Sequence, residues 1–276
     1  MTRSFLVEGF ILRKRDFDET GRLFSVYTRE IGKITVLAKG VRKINSKYGG
    51  ILENLNQVRL SLYHGKNFYL LQEAQLIFNI QTFWQNWPRT LSGFQVMETV
   101  DRILEEEKVV GGLFELLEET TRHFITFKKT DWLATVFYFN LLKLLGGISS
   151  FNHCSKCGQK FSGERGFLTS RLSLLCQTCL DPTKQILETV EGKLIQILNF
   201  LEEEPLARQL SLRVSQKEIQ AINSLVDLYQ RSAFDKRLKT IDFLCRDNKP
   251  FKIGAHGRTS HQGELISDVL RENLYL

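Results

Sequence analysis

The pattern of apolar and polar positions in the first 80 residues predicts five β-strands. These segments are rich in β-branched and aromatic residues, and turn signals such as Glu19-Thr20-Gly21 separate them. The predicted strands are Phe5–Leu12, Leu23–Thr28, Lys33–Ala38, Asn56–His64 and Asn67–Ile77. Five strands with one longer connection between the third and the fourth, Gly40–Leu52, favour a closed OB-type barrel over a sandwich. An SH3-like barrel is the competing interpretation.

The period becomes helical from Pro88 onward. Leu91, Phe94, Met97 and Val100 recur at steps of three residues and acidic residues line the other side, which is typical of an amphipathic helix. Further predicted helices are Leu113–Phe124, a helix capped by Asp131 and stopped by Gly146-Gly147, Lys184–Leu201, Ser215–Tyr229 and Phe234–Cys245. The predicted fold class is therefore α+β with two domains, the barrel at 1–80 and a helical domain at 81–245. A linker and a short helix, Glu264–Leu274, fill 246–276.

Composition supports a folded chain. Of 276 residues, 42% are hydrophobic and 25% are charged, which is ordinary for a globular protein and argues against a disordered or collagen-like chain. No stretch reaches the roughly 18 to 20 apolar residues that a membrane helix needs. The N-terminal segment also lacks a small-residue cleavage site. We therefore expect a cytoplasmic protein without a membrane partner.

The positive charge is concentrated in the predicted barrel. Residues 1–80 hold 13 Lys and Arg against 7 Asp and Glu, whereas residues 81–276 hold 25 against 24. A basic module beside a nearly neutral one suggests that the barrel meets a polyanion. A solvated basic surface without a partner is the alternative.

Four cysteines have the spacing of a metal site. Cys154 and Cys157 form one Cys-x2-Cys pair, and Cys176 and Cys179 form a second pair after eighteen intervening residues. Each pair can direct two sulfurs at one ion about 2.3 Å away, so two pairs complete a tetrahedron. We predict a zinc-binding insert at 150–182, with an iron–sulfur cluster or unpaired thiols as alternatives. Because four thiolates leave no open coordination position, the zinc is expected to be structural.

Basic residues occur at the predicted strand ends and in the long loop of the barrel. They comprise Arg13, Lys14, Arg15, Arg22, Lys33, Lys39, Arg42, Lys43 and Lys47. Such cations neutralise phosphates and release counterions without reading a base sequence. Single-strand binders add aromatic platforms for the bases, and the candidates near turns are Phe17, Tyr27, Tyr48 and Phe68; for each of them, closing the barrel core is the alternative.

The sequence lacks the common catalytic motifs. It contains no Walker-type loop, no H-E-x-x-H, no G-x-S-x-G and no dinucleotide fingerprint. Its acidic runs, Glu105–Glu107 and Glu202–Glu204, are more typical of solvated helix faces than of a magnesium site. We therefore predict that the protein is not an enzyme.

The order of these motifs resembles the bacterial RecO family of DNA repair proteins. The features are Glu19, a strand ending in Thr28, then Gly32, and Ala38-Lys39-Gly40-Val41-Arg42-Lys43 followed by Ser46. A helical region interrupted by the four cysteines is similar to the C-terminal region of that family with its zinc insert. The resemblance extends over roughly residues 1–245.

The resemblance implies an OB-fold followed by a helical domain, and a recombination mediator without catalytic turnover. It implies binding of single- and double-stranded DNA, strand annealing, and contact with the acidic C-terminal tail of single-strand binding protein. It also implies assembly with RecR to load RecA, and a nucleoid-associated location. The DNA contacts carried over are Lys39, Arg42 and Lys43, with Arg13, Arg15, Arg22 and Lys47 as neighbours.

Two other function classes remain open at this stage. One is a zinc-ribbon transcription or RNA-binding factor, which would read a base sequence or prefer RNA. The other is a metal-dependent nuclease that uses the glutamate clusters.

Overall fold

A computed structural model describes residues 4–79, 86–148, 150–170, 172–180 and 186–233, with side chains up to 229. The chain divides into two compact units, one that includes the residues up to Val110 and one that begins at Gly111. Each unit has its own buried core. In this division the first helix belongs to the same unit as the barrel, which it contacts.

The first unit contains a five-stranded closed barrel. Its strands are β1 (Phe5–Asp16), β2 (Arg22–Thr28), β3 (Gly32–Ala38), β4 (Gln57–His64) and β5 (Tyr69–Phe78). They are ordered β1-β2-β3-β5-β4, and β4 pairs with β1 to close the barrel. All pairs are antiparallel except β3 with β5, where Val36 lies opposite Tyr69. The structure confirms the OB-like barrel.

Alternating side chains of all five strands fill the barrel. Val26, Ile34 and Leu60 are among the fully buried residues of this core. Burying each such side chain contributes about 1.5–3 kcal/mol. Two residues of the loop that connects β3 and β4, Val41 and Leu52, belong to the same core. The long loop is therefore fixed to the barrel by its own apolar residues.

The first strand is longer than predicted. Pairing with β2 continues past Leu12, and Asp16 lies opposite Arg22, which in turn lies opposite Ala38. A bulge between Ile11 and Arg13 shifts the register of β1. The last residue of β1, the first of β2 and the last of β3 consequently lie side by side at one end of the barrel.

Helix α1 (Trp87–Ile103) and the segment after it pack on the barrel. The Lys33 ammonium donates to the carbonyl oxygen of Asp101 at 2.7 Å, and the Glu107 N–H donates to the Lys33 carbonyl at 2.7 Å. Gly32 has φ +76°, and a Cβ there would lie 2.3 Å from the carbonyl oxygen of Lys108. Only glycine allows this close approach of the two backbones.

The second unit contains five helices and a small sheet within its described residues. The helices are α2 (Leu113–Thr126), α3 (Thr130–Leu144), α4 (Gly192–Glu203), α5 (Leu206–Ser211) and α6 (Gln216–Ala233). The sheet has the order β7-β6-β8, with β6 (Gly166–Thr169), β7 (Leu174–Leu175) and β8 (Ile186–Val190). Helix α3 packs against the other four helices, and Trp132, Phe137 and Phe139 are buried in the core.

The ends of α3 show one correct and one incorrect prediction. Asp131 lies inside the first turn, where its carboxylate accepts from the Trp132 N–H, and the N-cap residue is Lys129. The predicted Asp131 cap is therefore wrong by two residues. At the other end Gly146 adopts φ +69°, and the chain reverses there. The Gly146 N–H donates to the Lys143 carbonyl, and the Gly147 N–H donates to the Leu142 carbonyl. This Schellman arrangement confirms the predicted stop.

The predictions in the C-terminal part have different outcomes. The predicted helix Lys184–Leu201 is wrong at its start, because Ile186–Val190 forms β8 on the edge of the small sheet and the helix begins at Gly192. Helix α5 was not predicted. The predicted elements Phe234–Cys245 and Glu264–Leu274, and the linker and helix region 246–276, lie outside the described residues. Within the described part of the chain, no helix is long and apolar enough to cross a membrane.

Candidate functional site

The four predicted metal ligands come together in the second unit. The sulfur atoms of Cys154, Cys157, Cys176 and Cys179 all lie within 4.8 Å of one another. The Cys157 and Cys176 sulfurs are 3.8 Å apart. Four sulfurs bound at 2.3 Å around one ion are about 3.8 Å from each other, so this separation matches one edge of a tetrahedron.

Local backbone turns aim the sulfurs at a common point. In the first pair, Gly158 adopts φ +73° and its N–H donates to the Cys154 carbonyl at 2.9 Å. In the second pair, the 3-10 helix Gln177–Cys179 brings the Cys179 N–H to the Cys176 carbonyl at 3.1 Å. The hairpin of β6 and β7 lies between the two pairs, as the glycines of this region predict. The spacing seen in the sequence is thus sufficient to build the cluster.

The electrostatics of the cluster favour a bound cation. Burial raises the pKa of Cys154, but N–H donors of the Cys157, Cys176 and Lys156 backbones outweigh it and lower this pKa to about 6. Neighbouring sulfurs, with Cys157 first, raise the pKa of Cys179 to about 12. Four thiolates therefore repel one another unless a cation balances their charge. The cysteine cluster can hold a metal ion, and its four sulfur donors fit zinc or an iron–sulfur centre.

A second candidate site lies at the end of the barrel where β1, β2 and β3 meet. We call it the basic loop end, and it comprises the end of β1 from Arg15, the β1–β2 turn, the first residue of β2, the loop segment 39–47 and the β4–β5 turn. It contains Arg15, Arg22, Lys39, Arg42, Lys43, Lys47 and Lys66. Arg22 is partly buried, and the other six side chains are exposed. Six of the seven predicted DNA contacts lie here, and the seventh is Arg13.

Arg42 fixes the loop segment to the β1–β2 turn. Its guanidinium donates to the Asp18 carbonyl at 3.0 Å and pairs with Asp16 at 3.3 Å, while its N–H donates to the Thr20 carbonyl at 2.9 Å. Asp16 also accepts from the Arg22 guanidinium at 2.7 Å. The turn itself is ordered by Asp18, whose pKa is lowered by N–H donors of Thr20 and Gly21 and, to a smaller extent, by Lys39. The exposed cations are thus carried on a rigid support.

Two of the predicted aromatic platforms lie at the basic loop end. Phe17 is 49% exposed, and its ring packs edge-on against Phe68 of the β4–β5 turn, with centroids 5.9 Å apart. The β1–β2 and β4–β5 loops are those with which OB-folds bind nucleic acid. Tyr48 packs against the barrel core and carries the Lys47 ammonium over its ring, 5.1 Å from the centroid. Phe17 and Phe68 therefore offer an accessible apolar surface beside the cations.

The fourth aromatic, Tyr27, is unsuitable as a platform. It is fully buried, and its hydroxyl interacts with the backbone N–H and carbonyl of Val110 at 3.2 Å. Sequence reasoning placed it near a turn but did not identify the segment after α1 that covers it. Of the two interpretations of Tyr27, base platform and core residue, the structure supports the core residue, because no face of its ring reaches solvent.

Arg13 lies away from the basic loop end. Its guanidinium pairs with Asp101 of α1 at 3.1 Å, and the same carboxylate accepts from the hydroxyl of Ser25, which is opposite Arg13 in the sheet. Helix α1 thus places an acidic group on the outer face of β1 and β2. The role of Arg13 as a DNA contact stays a prediction.

Two further cations of the barrel have structural contacts that the sequence did not reveal. Lys14 is buried and pairs with Glu53 of the long loop at 2.6 Å. Lys33 is buried, and its ammonium donates to the carbonyl oxygens of Asp101 in α1 and of Leu104 directly after α1. No local sequence pattern separates these cations from the exposed ones, since each partner is more than thirty residues away.

Comparison with known proteins gives consistent matches along the chain. A family model described as Recombination protein O N terminal matches residues 1–80, and one described as Recombination protein O C terminal matches residues 85–241. The DNA repair protein RecO of Bacillus pumilus (strain SAFR-032) is 27% identical over 239 residues, covering 86% of this chain and 92% of that protein. The DNA repair protein RecO of Listeria innocua is 24% identical over 237 residues, with the same two shares. The protein of that name from Bacillus subtilis (strain 168) is 24% identical over 239 residues.

Proposed function

The chain belongs to the RecO family of recombination and DNA repair proteins, and from this premise we propose that it binds single- and double-stranded DNA, anneals complementary strands and acts as a recombination mediator. The observation that carries this proposal is the basic loop end. Of its six exposed cations, Arg15 lies near the end of β1, and the other five lie on loops that the barrel holds in place. Such an array suits a flexible chain of phosphates, and binding of this kind is independent of base sequence.

Annealing follows from the physics of such a surface. Two complementary strands repel each other through their phosphates, and a cationic surface that holds both strands lowers this repulsion. The strands must still slide to find their register. Diffuse, salt-sensitive contacts permit sliding, whereas tight contacts to individual bases would prevent it.

The proposed partners extend the same activity to DNA that is coated with single-strand binding protein. We propose that the protein contacts the acidic C-terminal tail of single-strand binding protein, assembles with RecR and so helps to load RecA. These partners are inferred from the family resemblance. The family membership supports them.

We further propose that the protein has no catalytic activity. Its acidic runs have structural contacts: Glu107 accepts from the Tyr69 hydroxyl at 2.7 Å, and Glu203 accepts from the Asn152 amide at 2.8 Å. Glu202 accepts from the Phe151 N–H at 3.2 Å. Carboxylates held in this way are poorly placed to collect a catalytic magnesium ion. Incubation of labelled DNA with magnesium should give no cleavage.

The metal of the cysteine cluster is proposed to be zinc with a structural role. Cys154 is buried, and the Ser155 N–H beside it donates to the Leu174 carbonyl of β7 at 2.9 Å, so the ion would join the two Cys-x2-Cys segments across the hairpin of β6 and β7. Four thiolates saturate tetrahedral zinc and leave no position for a substrate. Elemental analysis of the purified chain should find one equivalent of zinc and no iron.

The test of the proposed function is annealing of complementary oligonucleotides coated with single-strand binding protein, without ATP. We expect acceleration that weakens between low and near-physiological salt. The triple variant Lys39→Ala, Arg42→Ala, Lys43→Ala should lose most of this acceleration. A matched control removes three exposed cations of the second unit: Lys128, Arg213 and Lys217.

Three results would contradict the proposal. One is the absence of acceleration by the wild-type protein at either salt concentration. Another is an equal loss of acceleration in the control variant, which would place the DNA outside the basic loop end. Tight binding to one particular RNA or DNA sequence would instead favour a zinc-ribbon transcription or RNA-binding factor.

A further inference from the structure

An isoleucine at the tip of the loop segment 39–47 is completely exposed. Ile44 has 102% of its reference surface in contact with solvent, whereas the next most exposed large apolar residue of the described chain, Leu6, has 66%. Isolated exposed apolar residues are common on proteins. Ile44 differs from them in its position, because it projects from the centre of a cationic loop.

The backbone around Ile44 is ordered by hydrogen bonds. The Lys43 N–H donates to the Gly40 carbonyl at 3.2 Å, and the Ser46 N–H donates to the Lys43 carbonyl at 2.9 Å. Ile44 is therefore the first central residue of a turn that begins at Lys43. Residues on both sides of this turn are anchored to the barrel. Before it, Arg42 is bound to the β1–β2 turn; after it, the Tyr48 hydroxyl donates to the Gln72 carbonyl of β5 at 3.0 Å. The loop thus holds the isoleucine away from the barrel core.

The surroundings of Ile44 indicate which kind of surface would cover it. Arg42, Lys43 and Lys47 lie within three residues of it in the chain. A partner must therefore offer negative groups at its periphery and an apolar surface at its centre. A single DNA strand has both, since its phosphates lie outside and the faces of its bases are apolar.

We propose that Ile44 is an apolar wedge that enters the base stack of a DNA strand bound at the basic loop end. DNA-bending proteins use isoleucine, leucine and methionine side chains in this way, and the wedge unstacks the bases that it separates. The inference rests on the proposed DNA binding and adds a specific role to it. An unstacked base exposes its pairing edge, so the wedge prepares a strand to meet its complement.

The test uses the full chain and a single-stranded oligonucleotide with one 2-aminopurine, whose fluorescence rises when it leaves the stack. Wild-type protein should raise the fluorescence. Ile44→Ala should abolish most of this rise and weaken binding about fivefold, because a buried aliphatic side chain is lost. Its salt dependence should equal that of the wild type, since no charge has changed. Ile44→Phe should restore the fluorescence rise.

The control variant is Val109→Ala, an exposed apolar residue next to Lys108, whose backbone contacts Gly32 at the start of β3, the opposite end of that strand from Ala38. It should behave as the wild type. Binding and a fluorescence rise that are unchanged in Ile44→Ala would overturn the wedge and leave the proposed function intact. Failure of the wild-type protein to bind the oligonucleotide would instead contradict the proposed function. Loss of binding to anionic lipid vesicles in Ile44→Ala, with DNA binding unchanged, would also overturn the wedge.

Discussion

The cysteine cluster and the basic loop end place their functional groups in opposite ways. In the cysteine cluster four sulfur atoms converge within 4.8 Å, and one of their residues is buried. At the basic loop end the cations point into solvent and are supported by a few internal contacts, such as Arg42 with Asp16. The first arrangement fits a single ion, and the second fits a long, mobile polyanion.

This difference determines how each site responds to substitution. A tetrahedral site needs all four ligands, so the loss of one sulfur is expected to remove most of its function. Electrostatic binding is shared among many contacts, so each cation contributes a fraction. Sharp losses at one site and graded losses at the other would support the distinction.

The largest effect is expected from Cys176→Ser. Cys176 is only partly buried, so the substitution mainly removes a metal ligand and not a packed side chain. Loss of the metal should lower the free energy of unfolding of the second unit by about 4 kcal/mol. Elemental analysis measures the zinc content, and thermal unfolding measures the loss of stability. Lys156→Ala, an exposed residue within the first cysteine pair, should keep one equivalent of zinc.

Retention of zinc and full stability by Cys176→Ser would show that the ligand assignment is wrong.

A smaller effect is expected at the start of α6, in the same unit. Ser215 and Glu218 cap this helix reciprocally: the Ser215 N–H donates to Glu218 at 2.7 Å, and the Glu218 N–H donates to the Ser215 hydroxyl at 3.4 Å. Ser215→Ala should cost about 1 kcal/mol of unfolding free energy. Thermal unfolding checks this, and Ser224→Ala in the exposed middle of the helix is the control. Equal melting temperatures of the two variants would contradict the capping role.

The pH dependence of this cap has a definite sign. The Lys193 ammonium at 2.5 Å, followed by the Ser215 N–H, lowers the pKa of Glu218 from 4.5 to about 2. A pKa that is lower in the folded state stabilises the protein above the unfolded pKa, and this contribution disappears as the pH falls from about 4.5 to about 2. The stability difference between wild type and Glu218→Gln should therefore shrink over that range. A difference that grows at acid pH would contradict the assignment.

The smallest effect is expected from Asp16→Asn at the basic loop end. Asp16 neutralises part of the charge of Arg22 and Arg42, so its removal should strengthen binding to single-stranded DNA about two- to threefold at low salt. Fluorescence anisotropy measures this change. Glu53→Gln is unsuitable as a control because Glu53 pairs with buried Lys14, but Glu73→Gln on the exposed face of β5 is suitable. Weaker binding by Asp16→Asn would indicate that order in the loop matters more than its net charge.

Local patterns were sufficient to predict the barrel and the cysteine cluster. Strand alternation gave all five barrel strands, and the two Cys-x2-Cys pairs gave the complete ligand set. The helix Lys184–Leu201 was wrong because Ile186–Val190 is too short a segment for its period to separate strand from helix. Pairing with β6 decides its structure, and that partner is distant in the sequence.

Long-range contacts account for the remaining differences. Tyr27 is buried by a segment more than eighty residues away, and Arg13 pairs with a carboxylate of α1. No local feature of the sequence distinguishes Arg13, which pairs with Asp101, from Arg15, which lies two residues further along the same strand. Register and packing determine which cations stay available, and a single sequence does not contain that information in its local pattern.

The most direct test of the account is the salt dependence of single-stranded DNA binding by three proteins: wild type, the triple variant Lys39→Ala, Arg42→Ala, Lys43→Ala, and Cys176→Ser. A plot of log affinity against log salt should have a slope about 2 units shallower for the triple variant, since each lost phosphate contact removes about 0.7. Cys176→Ser should keep the wild-type slope at a temperature where the barrel stays folded. A triple variant with the wild-type slope would contradict the account, because it would show that the DNA does not bind at the basic loop end.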